Sequence, residues 1–390
     1  VVGVKLLRAK IAVCFFFLSG GMSLALWAVH IPLIEKTVGV TYAELGGLLI
    51  LSGFGGFAAM QIAGWLIDHI GAKTTTRLGG VIVGLSLFGP AFADSPLWLG
   101  LAIFGIGFGL SGVDVPMNAA ALQVEKENDR AIFTFFHLFW SVGGLAGAGL
   151  GFVTINAGFT QDQTLPVVGL TLSALALFFS TWLLPDQPNA QRENKAENKA
   201  SGKSNRRVLG FVILAGAMGA SGAIIEGVAQ DWSALYLRDV QGLSVAAAAW
   251  GLAAFNIGMI LGRIFIDRIV ERKGRGFIIL WGSVLAAIAI ALQAVAPDAS
   301  ISLFLWFLLG LGISGVVPQI FAAAGEIGEQ SHQGRNMARV VGITYIGALA
   351  GPSVIGLATV FLPLQVAIGW GAILAIFIAL ANSPLEKLPK

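Results

Sequence analysis

Charge is scarce in this sequence. Of its 390 residues, 12% are Asp, Glu, Lys or Arg and 56% are hydrophobic, and the mean hydropathy is +0.83. A soluble domain carries about 25% charged residues, so an ordinary globular enzyme is excluded. Cysteine is nearly absent. The single Cys14 allows no internal disulfide and lies in the apolar run CFFFL, as a small core or lipid-facing residue. Histidine occurs four times, never at a metal-ligand spacing with cysteine, so no metal site is expected. There is no Gly-rich phosphate-binding loop, which argues against ATP hydrolysis and leaves no cofactor to expect. The net charge of +3 and the pI near 9.1 do not point to nucleic acid, because membrane proteins collect basic residues on their cytoplasmic side.

What the chain does have is apolar runs near the 20 or so residues that cross a bilayer. They predict an all-α polytopic membrane protein with twelve transmembrane helices. The spans fall at roughly 11–34, 43–67, 75–93, 97–122, 131–156 and 164–184, then 208–236, 245–266, 276–296, 300–325, 336–359 and 362–382. The basic start Lys5, Arg8, Lys10 followed by apolar residues is like a signal peptide. The run continues to about Ile34, however, so it reads as the first span. Between the sixth and seventh spans lies a long polar segment holding Arg192, Lys195, Lys199, Lys203, Arg206 and Arg207, which reads as a solvated linker. With a cytoplasmic N-terminus, only Lys36 and Arg238 of the 24 Lys and Arg residues fall outside. Both termini and the linker are therefore expected in the cytoplasm, and the chain in an inner (plasma) membrane.

The chain is internally duplicated. GFGLSGVDVPMNAAA at Gly107–Ala121 recurs without a gap 203 positions later as GLGISGVVPQIFAAA at Gly310–Ala324. VGGLAGAGLG from Val142 is matched by IGALAGPSVIG from Ile346, with Gly143 and Gly147 against Gly347 and Gly351. The offset predicts two parallel six-helix pseudo-repeats: an N-terminal bundle over 1–185, a linker over 186–207 and a C-terminal bundle over 208–390. Such halves around a midplane site form the architecture of rocking transporters. Where the copies differ, the first has Asp114 and Asn118 and the second has Val317 and Phe321.

Charges deep in a span cost at least roughly 2.5–3.5 kcal/mol, so they usually face a cavity or a partner. Asp114 is the leading candidate, with Asn118 one turn away on the same face. Glu226 lies near the middle of span seven. Asp231, five residues on and about 140° around the helix, fits either the cavity or an outer gate beside Trp232. In span five, His137, Trp140 and Ser141 share one helical face and offer imidazole, indole and hydroxyl. His30 is placed near the outer end of span one, at the cavity mouth, and Trp27 and Asn256 are further lining candidates. For each of these a helix–helix contact is the competing role.

The loop after span two reads GWLIDHIGAKTTTR. It resembles the signature G-x-[LI]-x-D-x-x-G-x-[KR] of the major facilitator superfamily through Gly64, Asp68, Gly71 and Lys73, with Arg77 as a further basic position. A weaker echo, GRIFIDRIVERKGR, follows span eight with Arg263, Asp267, Arg272, Lys273 and Arg275. The resemblance implies a cytoplasmic gate at these residues. IEGVAQDW in span seven, FFHLFWSVGGLAGAG in span five and the VDVPMN segment are similar to the MosC-like and fucose-permease-like branch. That resemblance implies uptake of a hydroxylated or amino-substituted solute, although Asp114 stands where the permease pattern has Glu.

The expected function is secondary transport of a small polar metabolite rather than catalysis, with a proton as coupling ion. Sodium coupling and uniport stand as alternatives, as do an efflux antiporter and a non-transporting receptor on the same fold. The expected partners are the solute, protons and the lipid bilayer, and the expected state is a monomer.

Overall fold

Apolar runs this long can satisfy their N–H and C=O groups in lipid only by bonding internally, along helices. The computed structural model describes residues 2–128, 132–186, 206–324 and 333–386, and among them every regular element is helical. In the N-terminal half these are α1 (Val2–Val38), α2 (Tyr42–Ile70), α3 (Ala72–Ser86), α4 (Phe88–Ala91), α5 (Pro96–Asn128), α6 (Phe133–Asn156) and α7 (Gln161–Ser180). In the C-terminal half they are α8 (Arg206–Asp239), α9 (Val245–Ala248), α10 (Trp250–Lys273), α11 (Arg275–Gln293) and α12 (Ala299–Ile313). They continue with α13 (Val316–Ala324), α14 (Gln333–Ala358), α15 (Leu364–Gly369) and α16 (Gly371–Glu386).

Ten helical stretches of the described residues are long and apolar enough to cross a membrane. The other two expected spans are helical as well. That over 75–93 is divided between α3 and α4, and that over 336–359 is α14. Helices α1 and α8 run past the expected boundaries because helix formation does not stop where hydrophobicity does. Span ten is interrupted at Ser314–Gly315, between α12 and α13. Arg192, Lys195, Lys199 and Lys203 of the expected linker lie outside the described residues.

The helix starts repeat with the sequence. Thr41 caps α2, its hydroxyl accepting from Glu44 N at 3.2 Å, and Ser244, 203 positions on, caps α9 through Ala247 N at 3.2 Å. Asp298 caps α12 through Ser300 N and Ile301 N at 2.8 and 3.0 Å. Its counterpart Ser95 precedes α5 and accepts from Trp98 N at 3.4 Å. Both sides of the duplication thus use short polar residues to satisfy N–H groups that a helix leaves without an internal partner.

Packing repeats too. Helix α1 lies on α6 and α8 on α14; α3 lies on α5 and α7, and α11 on α12 and α16. At the opening repeat, a Cβ on Gly107 would collide with the Ser52 carbonyl of α2, and one on Gly310 with the Phe255 carbonyl of α10. Small residues at these crossings let two backbones touch, which is how helices associate without a hydrophobic drive in lipid. The chain divides into two compact units, Val1–Lys195 with Ser244–Trp250, and Ala196–Leu243 with Gly251–Lys390. In the first, Phe16, Phe17, Val113, Met117 and Phe136 are fully or almost fully buried in one apolar cluster.

Candidate functional site

The polar candidates of the N-terminal unit lie on α1, α5 and α6. On α5, Val113 and Met117 turn into the core while Asp114 and Asn118 are only partly buried. Asn118 Nδ2 donates to the Asp114 carbonyl oxygen at 2.8 Å and to Asp114 Oδ1 at 3.1 Å. One amide therefore holds the carboxylate from the next turn, and its own Oδ1 stays available as an acceptor. Pro116 lies between them inside the helix.

On α6, the His137 ring meets Phe17 edge to face at 4.8 Å between centroids. The Trp140 ring lies over Gly20 of α1, where a Cβ would strike it. Ser141 is buried. The His137 and Trp140 side chains serve the α1–α6 contact. His30 is fully buried rather than at an open mouth. Its Nδ1 donates to Leu26 O at 2.7 Å, which leaves Nε2 as an acceptor, and that atom is buried without a partner among the described residues. Trp27 is buried beside it in sequence.

In the C-terminal unit, Glu226 sits in the interior of α8, partly buried, and the charge acting on it is Arg263 of α10. Asp231 and Trp232, five and six residues further on, are buried. Asn256 is buried, with Nδ2 donating to Leu252 O at 3.0 Å in its own helix.

The loop motif has a definite geometry. Gly71 ends α2 and begins α3 at φ +87° and ψ 163°, a conformation that favours glycine. A Cβ there would fall on the carboxyl group of Asp186, which accepts from Lys73 N at 2.8 Å. Asp186 thus caps α3 from the far end of the N-terminal half. Lys73 Nζ donates to Leu183 O at 3.1 Å, and Arg77 Nε donates to Ser180 Oγ at 2.8 Å. The basic positions of the motif tie α3 to the end of α7. A Cβ on Gly64 would meet nothing within 4 Å among the described residues. Positions 68 and 267 are helical, but the Asp68 and Asp267 side chains lie outside what is described.

Gly274, 203 positions after Gly71, also starts a helix at φ +81° and ψ 165°. In that register Glu271, not Asp267, stands opposite Asp68, and Asp267 falls opposite Gly64. The acid of the sequence echo, Asp267, thus lies about one helical turn before Glu271, which was not singled out from the sequence. Counting 203 from Asp68 would have found it. Among the described residues no group of three or more His, Cys, Asp or Glu is arranged to hold a metal ion.

The family pattern of the Major Facilitator Superfamily matches residues 11–249 and 208–387. The chain belongs to the major facilitator superfamily. An uncharacterized MFS-type transporter of Yersinia pestis is 32% identical over 371 residues, which cover 93% of this chain and 92% of that protein. The membrane protein MosC of Rhizobium meliloti is 29% identical over 352 residues, or 88% of this chain and 82% of MosC. Among solved structures, a D-xylose-proton symporter superposes with a TM-score of 0.77 at 13% identity, covering 98% of each chain. The superfamily member described here is accordingly a membrane transporter and not an enzyme, and the likeness to MosC agrees with the branch its span-five and span-seven segments resemble.

Proposed function

We propose that the protein is a secondary active transporter that moves a small polar metabolite across the inner membrane by alternating access, coupled to protons. The observation that carries this reading is the Asp114–Asn118 pair. A carboxylate within a span, held by one amide, occupies a position where the second copy of the same helix has Val317. Packing does not demand an acid there, because the fold is built with valine in its place. Ionised, Asp114 accepts hydrogen bonds from hydroxyl or ammonium groups; protonated, it is cheaper to desolvate and can itself donate. A group whose surroundings change during a transport cycle changes its proton affinity with them.

The test is a thermal-shift screen of the purified protein against metabolite panels, since a ligand of the folded state stabilises it. Hits are then applied to proteoliposomes containing a trapped pH-sensitive dye. Solute addition should move protons in the same direction as the solute. Solute flux with no proton movement would remove the coupling, and proton movement opposite to the solute would favour an efflux antiporter.

A further inference from the structure

A second polar arrangement lies in the C-terminal unit, away from Asp114. Arg263 is the residue after Gly262, whose α-carbon side fits against the Ser314 side chain and the Leu311 carbonyl of span ten. Gly222 of α8 fits against Val317 and Ile313 of that same span. Glu226 is one turn beyond Gly222 and Arg263 adjoins Gly262, two glycines that pack on span ten where it is interrupted between α12 and α13. Glu226 and Arg263 are each the charge that acts on the other. Positions 203 earlier hold Ser23 and Met60, so the duplicated fold does not require these two charges. A buried ion pair is also weak evidence for stability, because desolvating both charges offsets much of their attraction. Intramembrane ionisable groups more often mark a solute or ion pathway.

We propose that Arg263 is a binding residue for an anionic group, a carboxylate, sulfonate or phosphate, on the transported solute, with Glu226 as the counter-charge that the solute's anion replaces. This rests on the transport reading above and adds a substrate class to it. A guanidinium offers a planar fork of N–H donors that matches two oxygens of such a group, which a lysine cannot do. With no solute present, Glu226 neutralises the guanidinium inside the low-dielectric interior. When the anion docks, it competes with Glu226 for the same donors.

The competition gives the test a definite sign. Purified full-length protein is titrated with sodium gluconate, acetate, methanesulfonate and phosphate at constant ionic strength, with sorbitol as the uncharged match to gluconate, and the melting temperature is followed. At least one anion should raise it in a saturable way while sorbitol does not. Arg263→Gln should abolish the shift, and Arg263→Lys should weaken apparent affinity roughly tenfold by losing the paired contact. Glu226→Gln should tighten the anion, since its competitor is gone. If Arg263→Gln does not fold, Glu226→Gln alone decides: tighter binding supports the site, and unchanged or weaker binding overturns it. No anion shift beyond sorbitol, or a shift that survives Arg263→Gln, also overturns it. Accumulation of sorbitol by proteoliposomes without any response to the anions would sink the anion site and leave the transport reading standing.

Discussion

Asn118 Nδ2 stands 3.1 Å from Asp114 Oδ1 and 2.8 Å from the carbonyl oxygen of the same residue. The amide is thus a positioning group for the acid, set one helical turn away by the 3.6-residue period. In the second copy of this helix both positions are apolar, Val317 and Phe321, so the pair is an addition to the fold and not part of its scaffold.

Loss of the amide should be felt at the acid before it is felt in stability. Asn118→Ala removes a hydrogen bond to a charged group, the kind of bond worth about 1.5–3 kcal/mol. It should slow solute transport about tenfold or more, on the conversion of 1.4 kcal/mol per decade. Asn118→Gln, which keeps the amide but moves it, should recover less than half of the loss. Initial rates in proteoliposomes at matched protein density check this; a wild-type rate in Asn118→Ala would deny the amide its positioning role.

The helix crossings give a stability prediction that can be compared across the two halves. Gly107→Ala and Gly310→Ala each drive a methyl into a facing backbone carbonyl, that of Ser52 and of Phe255. Backbone cannot yield as a flexible side chain does, so each should cost about 1–3 kcal/mol, as overpacking does. Gly105→Ala is the control, because a Cβ there meets nothing within 4 Å. Melting temperatures in one detergent should fall for the first two and hold or rise slightly for the third. Equal behaviour of all three would contradict the close-packed crossings.

Much of this fold was legible in the sequence, and the reason is the solvent. In lipid a spanning segment has to be helical, so hydropathy located the helices though not their ends, and an ungapped offset of 203 set Gly107 against Gly310. Contacts made across the chain were not legible. Asp186 caps α3 from 113 positions away, and nothing in its own neighbourhood marks it. Glu271 is not marked by the echo after span eight, whose acid is Asp267; the positive-φ turn glycine Gly274, 203 positions after Gly71, brings Glu271 to the place of Asp68. Arg263 was read with the cytoplasmic loop because it precedes a run of charges. Its charge is the one that acts on Glu226 in the interior of α8. The helical face of His137 and Trp140 meets α1 through Phe17 and Gly20, a contact that spacing along one helix does not reveal.

The register correction makes a prediction of its own. Asp68→Asn should slow transport while leaving solute affinity in detergent within about three-fold, a change under the 1.4 kcal/mol that marks a decade. If Glu271 is its counterpart, Glu271→Gln should slow transport more than Asp267→Asn does. Rates for the three variants in matched liposomes decide it. Wild-type transport by Asp68→Asn would remove the gate role, and a greater loss in Asp267→Asn would restore the first alignment.

The most direct test concerns Asp114 itself. Asp114→Asn keeps the shape and leaves a donor but cannot change charge, so it separates binding from coupling. The variant and the wild type are reconstituted at equal density, a pH gradient is imposed, and solute accumulation is measured beside solute exchange at zero gradient. The account predicts that Asp114→Asn folds, retains exchange and loses accumulation driven by the gradient. Full accumulation by the variant, with an unchanged pH dependence, would contradict it.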